Sequence, residues 1–274
     1  MRLFLAALSI FLSLAAPAYS AETPDAKNTK AVLVTGASTG IGRKITERLA
    51  ADGYFVYAGA RKIIERGGHG LYGLVNNAGV VTLGSVVDTK PEEFDVVMSV
   101  NVYGPWRVTR ALVPLIITSK GRITNIGSIN GVVSFGQASA YSMSKHAIEA
   151  FTDALALEMA PLGVQVSVVE PGSYKSDIFK NEVQRSGTGK QLLDFASHAK
   201  DPDEVAAAVE RALFEPNPKR RYMIVPDEQQ ARLTIGTQIE KLVELNDRQS
   251  CTYDRDTLVK MLDEALARTR PQGK

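Results

Sequence analysis

A short apolar run, Ala31 to Val34, leads straight into Thr35-Gly36-Ala37-Ser38-Thr39-Gly40-Ile41-Gly42, and an amphipathic stretch follows to about Ala51. Strand, glycine-rich turn and helix in that order constrain the fold more than any other feature of the chain. Such a turn belongs at the carboxyl end of a strand, in a parallel sheet covered by helices. Gly36 permits the tight turn, Gly40 lets backbone approach a pyrophosphate, and Gly42 allows close helix–strand packing. The helix N-terminus then offers free amide donors to phosphate oxygens. The spacing is G-x-x-x-G-x-G, and no Lys-Ser/Thr pair follows, which excludes a nucleoside triphosphate loop. The context predicts a dinucleotide site; a turn of purely structural purpose is the competing reading.

The rest of the chain alternates in the same manner, as an α/β protein with a parallel sheet does. Further strands are predicted at Tyr54 to Tyr57, Tyr72 to Asn76, Arg122 to Ile126, Val164 to Val169 and Tyr222 to Val225. Helices are predicted from Pro91 to about Thr118, where Pro91 suits a first turn, from about Ser139 to Met159, and from Asp203 to Leu213. There is no internal repeat. With 32 Lys+Arg against 30 Asp+Glu, the net charge of +2 gives no reason to expect nucleic acid as a partner. The lone Cys251 excludes an intramolecular disulfide and reads as a packed or inert thiol. His69, His146 and His198 are too scattered to make a metal-ligand pattern.

Residues 1–20 do not read as part of this domain. Arg2 supplies a positive start, Leu3 to Ala16 an apolar run, and Ala18-Tyr19-Ser20 the small residues of a cleavage site. The run is short for a membrane span, which needs about 20 apolar residues. A secretory signal is predicted, placing the protein in the secretory pathway or periplasm; an uncleaved membrane anchor is the alternative. Residues 21–30 form a polar linker, 31–226 the nucleotide-binding domain, and 227–274 a C-terminal extension with amphipathic helix.

Two further features bear on chemistry. Arg61 lies nineteen residues past Gly42, where an acid would bind a ribose hydroxyl and an arginine a 2′-phosphate; 53–64 contains no acid. NADP is therefore predicted over NAD. Tyr141-Ser142-Met143-Ser144-Lys145 sets a phenol and an ammonium on one helix face. A free tyrosine, with a pKa of about 10, is a poor base at neutral pH, and a fixed cation nearby favours its ionised form. The pair can serve as a general acid/base on an alcohol or carbonyl oxygen. Ser128 lies thirteen residues before Tyr141, just past a strand end.

At this point the sequence resembles the short-chain dehydrogenase/reductase family, over about residues 31–226. Thr35-Gly36-x-x-x-Gly40-Ile41-Gly42 matches that family's cofactor fingerprint, with Ser38 inside it, and Asn76-Asn77-Ala78-Gly79 matches its structural motif. Asn101, Ser128, Tyr141 and Lys145 match its catalytic tetrad in order. Pro171-Gly172 with Ser176 matches a Pro-Gly-x-x-x-Thr segment, serine replacing threonine as hydroxyl for the nicotinamide carboxamide. The resemblance implies a Rossmann-like doubly wound sheet in a single domain and hydride transfer with NADP, NAD being the other possibility. It implies that Ser128 binds the substrate oxygen and that Tyr141 moves its proton. Lys145 would bind the nicotinamide ribose and hold the phenol's pKa down, while Asn101 would position a relay water. Cofactor contacts are implied for Gly36, Ser38, Gly40, Ile41, Gly42, Arg61, Asn77, Ala78, Gly79, Tyr141, Lys145, Pro171, Gly172 and Ser176.

The chain departs from the family between Arg61 and Tyr72, where only ten residues, KIIERGGHGL, stand. A helix–strand–helix passage needs about 30. One edge strand and its neighbouring helices are thus expected to be missing, with an exposed apolar patch as the liability. Ten extended residues reach about 35 Å, enough to cross back over the sheet. Ile129, Val132, Val133, Phe135, Tyr174, Ile178 and Phe179 make the expected site apolar, under a lid formed by Asp177 to Gly189. With the stretch Gly70 to Gly79, similar to the hydroxysteroid and retinol dehydrogenase branch, this implies a hydrophobic secondary alcohol or ketone. Lys219-Arg220-Arg221 reads as a solvated turn. Family resemblance implies a homodimer or homotetramer through helices 91–118 and 139–159, with membrane contact only through the N-terminal segment. The alternative is a truncated, non-catalytic nucleotide-binding or interaction protein.

Overall fold

The computed structural model describes residues 30–58, 71–187 and 189–269. The signal or anchor at 1–20, most of the linker, Arg61, His69 and the shortened passage 62–70 lie outside the described residues. Six strands form one sheet in the order β2-β1-β3-β4-β5-β6, every neighbouring pair parallel. They are β1 Ala31–Val34, β2 Phe55–Ala58, β3 Gly73–Asn76, β4 Arg122–Ile126, β5 Gln165–Pro171 and β6 Arg221–Ile224.

All four residues of β1 and of β3 are buried, as is every residue of β4. A parallel sheet reads this way because crossover helices cover both of its faces. Alternate side chains feed two separate cores. Val32, Val34 and Val75 pack with Ile45 and Leu49 of α1 (Gly40–Ala51) and with Val205, Val209 and Leu213 of α7 (Asp203–Phe214). Leu33, Leu74, Ile123 and Val166 lie in register across four strands. They pack on the opposite side, with Ile116 of α3 (Gly104–Thr118) and Leu155 of α4 (Ser139–Met159).

Among the described residues β2 is an edge strand. Its Phe55 is 37% exposed, the kind of surface expected where covering helices are short. β1 pairs with β2 on one side and β3 on the other, so strand order reverses there. Loops leaving β1 and β3 at their carboxyl ends part in opposite directions and open a crevice.

The helix predicted from Pro91 to Thr118 is interrupted. α2 (Pro91–Met98) passes into a π-helical turn, Ser99–Tyr103, before α3 begins. Pro105 has no N–H to give the Asn101 carbonyl, so the α-helical ladder cannot close there. The wider turn lets Asn101 point inward, where it is buried.

Past β5 the chain forms α5 (Ile178–Ser186) and α6 (Leu192–His198), then α7 and β6. The extension forms α8 (Glu228–Asn246) and α9 (Arg255–Thr269). The Asp227 carboxylate caps α8 by accepting from the Gln230 amide. Two sequence expectations change here. Arg221 does not sit in a solvated turn but opens β6, with its guanidinium 2.7 Å from Asp153. Cys251 is exposed, not packed. Among the described residues no helix is long and apolar enough to cross a membrane, and no cluster of three or more His, Cys, Asp or Glu could hold a metal.

Candidate active site

The glycine turn and the loop after β3 are built as one piece. Thr35 Oγ1 accepts from the amides of Asn77 and Ala78 at 3.0 and 3.1 Å. Asn77 Nδ2 donates to the carbonyls of Thr35 and Gly36 at 2.9 and 3.1 Å. Gly36 and Gly40 have φ of +65° and +54°, a region that side chains disfavour. A Cβ on Gly42 would fall 2.2 Å from the Gly36 carbonyl oxygen and 2.3 Å from Asn77 Nδ2. Its bareness therefore serves helix–turn and helix–loop contact, not the expected helix–strand contact. α1 begins at Gly40 without a side-chain cap and without an acid in its first turn, leaving its amides free for an anion.

These elements form one end of a cavity of about 730 Å³. Gly36, Ser38, Gly40, Ile41, Gly42, Asn77, Ala78, Gly79, Tyr141, Lys145, Pro171, Gly172 and Ser176 all line it, as their sequence assignment requires; Arg61 is outside the described residues. Ser176 faces the turn, its Cβ 3.2 Å from where a Gly40 Cβ would lie.

At the far end stand Ser128, Tyr141 and Lys145. Ser128 ends the β4 loop and accepts from the Asn130 amide at 3.1 Å, which fixes its rotamer. Tyr141 and Lys145 lie one turn apart in the first part of α4, with the ammonium 5.6 Å from the phenol ring centre. Burial pushes the Tyr141 phenol up to about 12, against a smaller lowering by its hydrogen bond with Ser128. Burial brings Lys145 down to about 8, opposed by the charge of Glu149. Burial, not Lys145, dominates the phenol in this arrangement.

Lys145 Nζ donates to the Ile126 carbonyl at 2.9 Å, leaving two of its three protons for other acceptors. Asn101 lies behind the cavity wall. Its amide nitrogen donates to Val80 O and Ser144 Oγ at 2.8 and 3.0 Å, and its side-chain oxygen accepts from the Val80 amide at 2.9 Å. That side chain is thus engaged through both its nitrogen and its oxygen, and Asn101 is not among the residues lining the cavity.

Ile129, Phe135, Tyr174, Ile178 and Phe179 line the cavity as expected. Val132 and Val133 do not. Val133 is buried in the protein, and the Val132 carbonyl accepts from Gln238 and Lys241 of α8. Sequence reasoning missed that α8 folds back over the cavity. Gln229, Gln230 and Leu233 line it, and Gln230 Oε1 accepts from the Ser173 amide at 2.8 Å. The signal present was Asp227 three residues before Gln230, a helix start, which says nothing about where the helix lies.

The residues present fit a dinucleotide. A cradle closed to side chains and a buried ammonium with spare donors line one cavity.

Comparison with known proteins agrees with this geometry. The family model described as short chain dehydrogenase matches residues 59–187. Mitochondrial D-beta-hydroxybutyrate dehydrogenase of Bos taurus is 36% identical over 195 residues, covering 56% of this chain and 57% of that protein. Retinol dehydrogenase 5 of Mus musculus is 34% identical over 183 residues, covering 54% and 57%. The chain thus spans a little over half the length of the curated relatives it matches. A solved short-chain dehydrogenase from Streptomyces avermitilis superposes with a TM-score of 0.68 at 29% identity, over 80% of this chain and 96% of the other. In its sheet order, glycine cradle and buried Ser–Tyr–Lys group, as in sequence, the chain is similar to the short-chain dehydrogenase family.

Proposed function

We propose that the protein is an NADP-dependent oxidoreductase acting on a hydrophobic secondary alcohol or ketone. The observation that carries this reading is the meeting of Ser128, Tyr141 and Lys145 in the cavity that begins at the glycine cradle. The α1 N-terminus and the 36–42 turn hold the pyrophosphate, Ser176 the carboxamide, and Lys145 the ribose hydroxyls. When bound, the cofactor supplies the redox chemistry, giving or taking a hydride.

The chain's own residues manage the proton. Ser128 orients the substrate oxygen with its hydroxyl. Tyr141, neutral at physiological pH, gives its phenolic proton to that oxygen during reduction and takes one during oxidation. Lys145 stabilises the transient phenolate, and a water held at the Asn101 carbonyl returns the proton to bulk solvent. Ile129, Phe135, Ile178 and Phe179 exclude water and favour an apolar substrate. The relatives named for hydroxybutyrate and retinol share the CH–OH chemistry and leave the substrate class open.

Arg61 is the reason for placing NADP before NAD. Exposed apolar side chains on the long helices, among them Tyr103, Trp106 and Leu157, support pairing of two copies. The apolar run at 3–16 supports export or anchoring at a membrane.

Turnover of a panel of apolar ketones and alcohols with NADP(H) and NAD(H), alongside titration with each cofactor, tests this function. NADP-dependent turnover is expected; tighter NAD binding overturns the cofactor preference. Because Ala58 and Leu71 are joined by only twelve residues, a second reading stands beside the first. Cofactor binding without turnover of any substrate would favour a nucleotide-binding protein that has lost catalysis.

A further inference from the structure

Behind the catalytic helix lies a group of charges that hydride transfer does not use. Glu149 and Asp153 of α4, Glu170 of β5 and Arg221 of β6 converge between helix and sheet. Glu149 and Glu170 are 9% and 5% exposed. Arg221 Nε lies 3.5 Å from Glu149 Oε2 and 3.7 Å from Glu170 Oε1, while Nη2 holds Asp153 at 2.7 Å. Three carboxyls share one cation. Both oxygens of Glu149 and Oε1 of Glu170 have no hydrogen-bond donor among the described residues.

Buried acceptors without donors are rare and costly. One proton between the two glutamates resolves both problems, removing a charge and supplying the missing hydrogen bond. Burial favours the protonated form of each. One proton on the pair then leaves a single negative charge between the two glutamates, beside Arg221.

The position of this pair ties it to the active site. Glu149 is one helical turn past Lys145 and two past Tyr141. A Cβ on Gly127 would fall 2.6 Å from Glu149 Oε1, and one on Gly131 would fall 2.9 Å from its Cγ. The loop carrying Ser128 therefore rests on this carboxyl at both ends. Facing Glu149 are Lys145 and Asp153 from its own helix, Glu170 from β5 and Arg221 from β6; the 127–131 loop contributes no charge.

We propose that Glu149 is a positioning residue: paired with Glu170 through one shared proton and held by Arg221, it seats the Gly127–Gly131 loop. The shared proton also keeps a second negative charge away from Lys145. Loss of the shared proton strengthens the hold of Glu149 on the Lys145 charge and unseats the serine loop. The catalytic consequence rests on the function proposed above; the shared proton and its coupling to the loop do not.

Carboxyl-carbon and amide NMR titration of the full chain tests the pair without turnover. One glutamate carboxyl is expected to titrate near or above neutral pH and to vanish from the spectrum of E149Q. The Gly127, Ser128 and Gly131 amides should shift with the same midpoint. Titration of every carboxyl below pH 5.5, or amides that stay still, overturns the proposal. In turnover, E149A should lower kcat about tenfold with little change in cofactor KM. E149Q should restore most of that loss and flatten the kcat profile between pH 7 and 9. Equal loss in E149A and E149Q, or an unchanged profile in E149Q, also overturns it. If no turnover is found in the unmodified protein, the NMR titration still decides.

Discussion

Asn77 Nδ2 donates to the Thr35 carbonyl at 2.9 Å, stitching the loop after β3 to the glycine turn after β1. Two segments forty residues apart thereby become one rigid wall of the cofactor crevice. Asn77→Ala removes two hydrogen bonds, to the half-buried Thr35 and exposed Gly36 carbonyls, a cost of about 1–3 kcal/mol. A lower melting temperature and roughly tenfold weaker NADP(H) binding are expected. Gly42→Ala goes further, since its methyl would meet the Gly36 carbonyl at 2.2 Å. That variant should show no cofactor-dependent rise in melting temperature.

Tyr141→Phe removes the proton donor and leaves the cradle intact. Turnover should fall by at least 10³-fold while NADP(H) binding, followed by nucleotide fluorescence, stays within about twofold. Because burial holds the phenol up to about 12, the unmodified protein carries a protonated Tyr141 at neutral pH. Carbonyl reduction should then be nearly flat from pH 6 to 7.5, and alcohol oxidation should rise with pH.

Lys145 gives a stability prediction whose sign runs opposite to that of an ordinary salt bridge. Its folded pKa of about 8 lies below the ordinary lysine value of 10.5. Between those values the unfolded chain binds more protons, so stability rises with pH through that window. Below pH 8 the buried ammonium costs on the order of 3 kcal/mol; Lys145→Met removes that cost but forfeits the bond to Ile126, which offsets part of the gain. Lys145→Met should be inactive yet about 1–2 kcal/mol more stable at pH 7, and that advantage should disappear near pH 10 in denaturant titrations.

Arg185 near the end of α5 is the latch of the apolar end of the cavity. It donates to Glu93 of α2 and to the Val81 carbonyl at 2.5 Å each, to Thr82 Oγ1 at 2.9 Å, and to the buried Glu182 of its own helix. Arg185→Met leaves two half-buried or buried carboxylates without their cation, at about 2 kcal/mol. Since Ile178 and Phe179 ride on the same helix, substrate KM should rise at least fivefold while cofactor KM stays nearly constant. Equal changes in both would show that the latch does not govern the substrate end.

The strands from β1 to β6 were each legible to within one or two residues, because a buried parallel strand is a short apolar run between turn residues. The cradle was legible too, since Gly36, Gly40 and Gly42 lie within seven positions. Less was readable where a local pattern meets a distant partner. The helix expected from Pro91 to Thr118 is broken by a π turn, although Pro105 was a visible reason for the Asn101 carbonyl to lose its donor. Val133 reads as apolar in either setting, and only packing assigns it to the core and Phe135 to the cavity.

By itself, then, the order of residues determined the parallel α/β architecture, the cradle and the Tyr141–Lys145 pair, because spacing along a strand or helix sets which side chains share a face; Ser128 joined them through the family resemblance. Tertiary structure decided their electrostatics and surroundings. Whether Tyr141 is held up or down depends on how much water Lys145, Ser128 and the cavity walls exclude. Whether Gln230 of α8 meets the Ser173 amide, or Arg221 meets Glu149 and Glu170, depends on contacts between residues 51 to 72 positions apart. Burial and charge are sums over neighbours in space, and those neighbours exist only once the sheet has closed.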